Sequence, residues 1–361
     1  MTLPRPRSAD AVVLVGGKGT RLRPLTLSTP KPMLPTAGVP FLTHLLSRIR
    51  QAGIRHVVLG TSYKAEVFAE HFGDGSALGL ELEYVVEDEP LDTGGAIRNV
   101  AGALRADDVV VFNGDILSGA DPARMLDSHA AAGADVTLHL VTVDDPSRFG
   151  CVPTDEGGRV LRFTEKSPDP PSDQINAGCY VFRREVIEEI PAGVPVSVER
   201  ETFPGLLAAG AHLHGVVDDS YWLDVGTPAA FVRGSADLVR GIAPTAALPG
   251  KTGESLMLDG ARVDPDAIVD GGTAVGAGAT IERGARVSGS VLLDGAVVAA
   301  DAVVCDSVLG TDSRVGRAAV LDGAVLGDGA AVGARCELIP GARLWPGVTI
   351  PDTGIRFSPD V

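Results

Sequence analysis

Residues 16–32 read GGKGTRLRPLTLSTPKP. The glycines allow close backbone approach, and Lys18, Arg21, Arg23 and Lys31 add positive charge, a pairing suited to phosphate. Thr20 and Thr26 add hydroxyls, and Pro24, Pro30, Pro32 and Pro35 stiffen the approach. The stretch fits neither familiar phosphate pattern. A P-loop needs G-x-x-x-x-G-K-[ST], which it lacks, and a dinucleotide fingerprint starting at Gly17 fails where Leu22 replaces the last glycine.

Three more stretches carry chemistry of the same kind. VVVFNGDIL (109–117) is a buried-strand run ending in Asn-Gly-Asp, which puts Asp115 at a sheet's carboxyl edge. Mg²⁺ takes one or two carboxylates plus substrate phosphates, so Asp115 is a metal candidate. WLDVGTP (222–228) offers a second isolated acid, Asp224. FTEKSPDPPSDQINAGCYVF (163–182) sets Glu165 and Lys166 at one strand end and Asn176 at the start of the next. Glu165 can accept from sugar hydroxyls, Lys166 can hold a sugar phosphate, and Asn176 can donate and accept. Gly150, in RFGCV, leaves room for a ligand. Each stretch alone is equally an ordinary turn or charged hairpin; together with the cationic loop they describe a site for phosphates and a metal.

The elements that must position these residues alternate in type. AVVLV (11–15) reads as a buried strand, PFLTHLLSRIRQAG (40–53) as a helix stopped by Gly53, and HVVLGT (56–61) as a strand. A short helix over 64–72, a strand over 80–86, a helix over 94–104 and a strand over 108–113 follow, then strands over 135–143, 159–166 and 177–184. Such alternation predicts an α/β, mostly parallel, doubly wound sheet, which binds ligands at the carboxyl ends of its strands.

After residue 241 the pattern changes. Val, Ile or Leu recurs at 263, 269, 275, 281 and 287, then at 291, 297, 303, 309, 315 and 321, then at 326, 332, 338, 344 and 350. Only 26 of the 88 residues from 263 to 350 are of these types, so chance does not explain sixteen such positions in a row, with one four-residue and one five-residue step between runs. A hexapeptide beat is the mark of a parallel β-helix with three hexads per coil, here about five coils. The expected division is a tail over 1–9, a catalytic domain over 10–240, a linker over 241–255, the β-helix over 256–354 and a tail over 355–361.

Totals exclude several classes. The net charge of −16 argues against a general nucleic-acid binder. That charge is unevenly spread: residues 11–65 contain no Asp or Glu, which makes a local positive field suited to a polyanion. The four cysteines form no C-x-x-C, which argues against a zinc ribbon or redox motif and suits a reducing, cytoplasmic setting. No run is long and apolar enough to read as a membrane span, and the first residues show no signal-peptide pattern.

In this order, and followed by hexapeptide repeats, GGKGTRLRPLT…KP, NGD, FTEK, NAGCYVF and WLDVGTP resemble the sugar-1-phosphate nucleotidyltransferases, most of all their mannose-1-phosphate guanylyltransferase branch. The resemblance implies a Rossmann-like domain followed by a left-handed β-helix. It also implies the reaction NTP plus sugar 1-phosphate to NDP-sugar plus pyrophosphate, with Mg²⁺. By that likeness Gly16, Gly17, Gly19, Thr20, Arg21 and Lys31 hold the triphosphate, Asp115 and Asp224 the metal, and Gly150, Glu165, Lys166 and Asn176 the sugar phosphate. YVVEDEPLDTGG (84–95), with Glu87, Asp92, Thr93 and Gly94, is the segment that meets the base. Guanine presents two donors on one edge, which suits a carboxylate, and the segment holds Glu87, Asp88, Glu89 and Asp92 but no Gln or Asn. GTP is therefore the expected nucleotide and Glu87 the expected reader. Asp92 stands where the family commonly has Gly.

The alternatives are a glucose-1-phosphate thymidylyl- or uridylyltransferase and, from another class, a non-catalytic subunit that senses a nucleotide sugar. Retention of Arg21, Lys31, Asp115, Lys166 and Asp224 argues against the latter. An acyl transfer in the β-helix needs a base, and all seven histidines lie at or before His214. The β-helix is expected to serve assembly of a homo-oligomer or regulation.

Overall fold

A computed structural model describes residues 8–357. The outer parts of the two expected tails, 1–7 and 358–361, lie outside the described residues. The described chain divides into two compact units. The first comprises the chain up to Gly17 and Leu45–Trp222; the second comprises Lys18–His44 and Leu223 onward. The division falls inside the glycine-rich loop, a feature the sequence pattern did not suggest.

The first unit is built on a nine-stranded sheet. Its strands are β1 (Ala9–Leu14), β2 (His56–Thr61), β3 (Glu81–Val86), β4 (Asp108–Asn113), β5 (Val136–Thr142), β6 (Gly150–Cys151), β7 (Thr164–Glu165), β8 (Gln174–Arg183) and β9 (Leu213–Val217). The order is β7-β6-β8-β4-β1-β2-β3, with β5 joining β8 to β9. β3, β2, β1 and β4 run parallel, as the alternation predicts. β8 runs antiparallel to β4, β5 and β6, so the far half of the sheet is mixed. The helices are α1 (Phe41–Gln51), which runs on into this unit, then α2 (Ala65–Phe72), α3 (Asp92–Asn99), α4 (Pro122–Ala132), α5 (Arg184–Glu189) and α6 (Phe203–Ala208). Val12, Val58, Val111, Leu138, Tyr180, Phe182 and Phe203 are buried in one core. The Tyr180, Phe182 and Phe203 rings lie 5.3–6.0 Å apart. The strand expected over 159–166 shrinks to Thr164–Glu165, because residues 159 and 160 form only isolated bridges.

The second unit carries three parallel ladders of six, six and five short strands, the triangular cross-section of a left-handed β-helix. The inward column holds Val275, Leu292, Leu309, Leu326 and Leu344, and the neighbouring columns hold Ile281, Val298, Val315 and Val332, then Val287, Val304, Leu321 and Leu338. The expected frame at 291, 297 and 303 is therefore one residue early. Each of these sites begins an aliphatic pair (Val291–Leu292, Val297–Val298, Val303–Val304), and the second member faces in. A one-residue slip exchanges the faces of a strand, so pairs of this kind leave the frame open to sequence reasoning. The central coils pair with an offset of 17 residues rather than 18, as in Val287↔Val304↔Leu321. A buried hydroxyl ladder bridges coils at one corner: Ser290 N–H donates to Thr273 Oγ1, Ser307 N–H to Ser290 Oγ, and Ala324 N–H to Ser307 Oγ, at 3.0–3.2 Å.

The same unit holds α7 (Pro228–Arg240), which packs on the β-helix, and the loop 18–44. The loop makes three 3₁₀ turns and a tight hairpin, whose Ala37 N–H donates to Ser235 Oγ of α7 at 3.0 Å. Among the described residues no helix is long and apolar enough to cross a membrane. The four cysteines are free thiols.

Candidate active site

In the first unit the parallel strands bring predicted residues to one sheet edge. Leu14 of β1 is paired with Asn113 of β4, so Gly16–Gly17 and Asp115 leave neighbouring strands at equivalent heights. Gly114 N–H donates to Leu14 O at 3.0 Å, and a Cβ at Gly114 would lie 2.6 Å from that oxygen. Only glycine fits between Asn113 and Asp115, which fixes where the Asp115 carboxylate emerges. Ser62, just beyond β2, donates to Gly16 O at 2.5 Å. Glu87 leaves β3 at the same edge, with its N–H bonded to Thr61 O at 2.8 Å. Its carboxylate accepts from Leu91 N–H at 3.4 Å, and burial pushes its pKa up against that bond.

Asp92 begins α3 at φ 57°, in the left-handed region that favours glycine. This accounts for the glycine of the family pattern: Asp tolerates the conformation better than most side chains. Asp92 then accepts from Thr93 N–H at 2.8 Å and faces Arg200 at 3.9 Å. Thr93 and Gly94 are engaged with the chain itself. Thr93 Oγ1 donates to Glu199 at 2.9 Å and accepts from Val198 N–H, while Gly94 N–H donates to Val196 O at 2.7 Å. A Cβ at Gly94 would stand 3.0 Å from that carbonyl. These two residues lock α3 against 196–199, a bridge the sequence did not reveal.

The sugar-phosphate candidates come together on β6, β7 and β8. Gly150 is paired with Glu165, and a Cβ on it would meet the Phe163 ring and Glu165 Oε2 at 2.8–2.9 Å. Lys166 N–H donates to Phe149 O at 3.2 Å, its ammonium lies 3.5 Å from Glu165, and its side chain is 69% exposed and open to a ligand. Asn176 follows Ile175, which pairs with Cys151 beside Gly150. Asn176 Nδ2 donates to the hydroxyl of the fully buried Tyr180 at 2.8 Å, and its Oδ1 accepts from Gly178 N–H. One buried hydroxyl thus fixes the Asn176 side chain. Trp222 Nε1 donates to Ala177 O at 3.0 Å, and its ring meets Phe149 edge-on. Tyr180 and Trp222 lie within the quoted motifs, but nothing in their spacing distinguishes them from core aromatics.

In the second unit Gly19 takes φ 57° and caps the turn Thr20–Leu22. Thr26 Oγ1 donates to Gly19 O at 2.8 Å, and a Cβ on Gly19 would meet Thr26 and Lys31 at 3.0–3.1 Å. The loop therefore closes on itself, with Lys31 buried and Thr20 and Arg21 exposed. Arg21 and Asp224 converge on Gly226. A Cβ there would stand 2.9 Å from Arg21 Nη2 and 3.0 Å from Asp224 Oδ1. Glycine is required so that a guanidinium and a carboxylate far apart in sequence can share that space.

Comparison with known proteins follows this geometry. The family model described as nucleotidyl transferase matches residues 10–241, and the model described as GMPPB C-terminal domain matches 251–353. The chain is 65% identical over 353 residues to a mannose-1-phosphate guanylyltransferase of Mycobacterium tuberculosis, covering 98% of each chain. It is 38% identical over 227 residues to the mannose-1-phosphate guanylyltransferase catalytic subunit beta of Drosophila pseudoobscura, covering 62% of this chain and 61% of that one. Among solved structures, HddC from Yersinia pseudotuberculosis complexed with GMP-PN matches with TM-score 0.56 and 29% identity, over 63% of this chain and 99% of that chain.

Proposed function

We propose, from the premise that this chain belongs to the nucleotidyl transferase family, that it transfers the guanylyl group of GTP to mannose 1-phosphate, giving GDP-mannose and pyrophosphate. The observation that carries this reading is the near full-length identity to a curated enzyme of that activity. The chain's geometry supports it: cationic side chains lie on the loop, and the candidate residues for a sugar phosphate are grouped on β6, β7 and β8.

The nucleophile is a phosphate oxygen of the sugar 1-phosphate. A phosphate monoester has its second pKa near about 6, so it is largely ionised at neutral pH and needs no general base. The oxygen attacks the α-phosphorus in line, the new P–O bond forms, the bond to the β-phosphate oxygen breaks, and pyrophosphate leaves. What the protein must do is align two anions and stabilise the charge that moves onto the leaving group. Gly16, Gly17, Gly19 and Thr20 cradle the triphosphate, and Arg21 and Lys31 neutralise it. Lys166 holds the sugar phosphate, Glu165 and Asn176 orient the sugar, and Gly150 lets the Glu165 carboxylate lie close against its strand. Glu87 reads guanine, with Asp92, Thr93 and Gly94 shaping the segment around it.

The family uses a divalent metal, and Mg²⁺ is the ion proposed here. The donor chemistry fits. Asp115 in the first unit and Asp224 in the second are hard oxygen donors. Among the described residues no group of three His, Cys, Asp or Glu forms a ready cage. An ion that takes few carboxylates and fills its shell with phosphate oxygens and water suits such a protein. When bound, Mg²⁺ supplies neutralising charge to the phosphate oxygens. The cellular setting proposed is cytoplasmic, and a homo-oligomer through β-helix faces is the proposed assembly.

The test is pyrophosphate release across a panel of GTP, dTTP, UTP, ATP and CTP against mannose and glucose 1-phosphates. GTP with mannose 1-phosphate should be turned over fastest; preference for dTTP or UTP would replace the guanylyl reading, and silence throughout would end the enzyme reading.

Two expected outcomes belong to single residues. Glu87 must be ionised to accept from guanine, and burial raises its carboxyl pKa. On acidification the charge is lost at a higher pH than for an exposed carboxylate, so KM for GTP should climb early as pH falls. Glu87→Gln should remove that limb of the pH profile. An unchanged profile would take the role from Glu87. Tyr180→Phe removes the hydroxyl that holds Asn176. A lost hydrogen bond costs about 0.5–1.5 kcal/mol, so KM for mannose 1-phosphate should rise roughly threefold to tenfold while KM for GTP stays near wild type. Equal KM values in both proteins would separate Asn176 from the sugar.

A further inference from the structure

We propose that Arg343 of the β-helix is a positioning residue for guanylyl transfer: it holds the backbone of the cationic loop so that the Arg21 guanidinium stands beside Asp224. The proposal rests on reading that loop as the triphosphate cradle.

Arg343 Nη1 donates to two loop carbonyls, Arg21 O at 2.9 Å and Arg23 O at 2.8 Å. The residue between them, Leu22, is fully buried, while Arg21 and Arg23 point their side chains to the surface. Locally the loop is framed by a 3₁₀ turn, Leu22 N–H to Gly19 O at 3.0 Å and Arg23 N–H to Thr20 O at 3.2 Å, and by the Thr26 hydroxyl on Gly19 O at 2.8 Å. Two carbonyls bound to one nitrogen fix the torsions of Leu22 and Arg23, and with them the direction in which Arg21 leaves the chain.

A second anchor lies close by in sequence. Ser28 Oγ donates to Asp328 Oδ2 at 2.9 Å, while Asp328 Oδ1 accepts from Thr311 N–H of the preceding coil at 3.1 Å. The carboxylate is thus held by the β-helix and in turn holds the loop. Residues 21–28 are pinned at both ends by residues 300 or more positions away.

The column on which Arg343 sits is otherwise apolar. In the parallel pairing it follows Val291, Val308 and Val325, all buried. A guanidinium ends a valine column at the point where loop carbonyls need donors. Arg suits this place because its planar fork presents several donors in fixed directions, whereas a lysine is a mobile point charge. This gives the β-helix a part in the reaction beyond assembly, with no chemistry of its own.

The experiment compares wild type, Arg343→Ala, Arg343→Lys and Ser28→Ala by three readouts: hydrogen exchange of residues 19–28, Tm, and steady-state kinetics with GTP and mannose 1-phosphate varied separately. For Arg343→Ala, exchange in 19–28 should accelerate at least about tenfold and kcat/KM for GTP should fall about tenfold to a hundredfold. KM for mannose 1-phosphate should stay within about twofold and Tm near wild type, since one surface residue is lost. Arg343→Lys should recover part of the GTP effect, and Ser28→Ala should give a smaller shift of the same kind. Unchanged exchange in 19–28, or equal losses toward both substrates with a lowered Tm, overturns the proposal. Hydrogen exchange needs no turnover. A failed enzyme reading would leave the loosened loop intact, and a failed positioning role would leave an active wild type with an equally active Arg343→Ala.

Discussion

Asp115→Asn is expected to lower pyrophosphate release from GTP and mannose 1-phosphate by roughly a thousandfold, the order seen when a principal electrostatic group is removed from a preorganised site. The substitution keeps shape and hydrogen-bonding capacity and removes charge. Its backbone is fixed by features that do not change: Asn113 is in register with Leu14, and Gly114 is clamped to the Leu14 carbonyl at 3.0 Å. Folding should therefore be unaffected, with Tm within a few degrees of wild type. A pyrophosphate-coupled assay beside a thermal melt separates the two effects. Near wild-type turnover would remove Asp115 from the catalytic set and leave the Asn-Gly-Asp stretch as a plain turn.

Arg21→Ala should be nearly as severe. An arginine that stabilises phosphoryl charge in the transition state contributes on the order of a thousandfold or more. The exposed guanidinium reaches the space over Gly226 in company with the Asp224 carboxylate. Removing it leaves the loop's internal bond, Thr26 Oγ1 to Gly19 O at 2.8 Å, in place. Arg21→Lys should recover only part of the rate, because an ammonium restores charge without the fork that meets two phosphate oxygens together. Single-turnover measurement at saturating GTP isolates the chemical step. A variant that loses only affinity, with that step unchanged, would recast Arg21 as a residue that binds GTP and its transition state equally.

Much of the first unit was legible because its strands are apolar runs of ordinary length bounded by turn residues. HVVLGT and the run 108–113 fall where the pattern put them. The helix of 94–104 starts earlier, at Asp92, because a positive φ is invisible to apolar periodicity, and it ends at Asn99 before a 3₁₀ turn. The hexapeptide beat announced the β-helix. Its frame slipped by one residue where aliphatic pairs offered two equivalent inward choices, and the β-helix core takes the second member of each pair.

The site was legible as a set of motifs, less so as an arrangement. Glycines 150 and 226 are needed for close approach, which a sequence states only as a missing side chain. Tyr180 reads as a core aromatic until its hydroxyl is found bonded to Asn176. Asp92 read as a departure from the family pattern, and its backbone takes the left-handed conformation that favours glycine. Nothing in the spacing of the chain joins Arg343 to Arg21, since their contact depends on how many residues each coil uses.

The most direct test of the central claim is to follow the α-phosphorus of GTP. With GTP labelled at that atom and mannose 1-phosphate as acceptor, the account predicts that the label appears in GDP-mannose, one pyrophosphate being released for each molecule formed. Label remaining in GTP, or appearing in GDP with release of single phosphate, would contradict it.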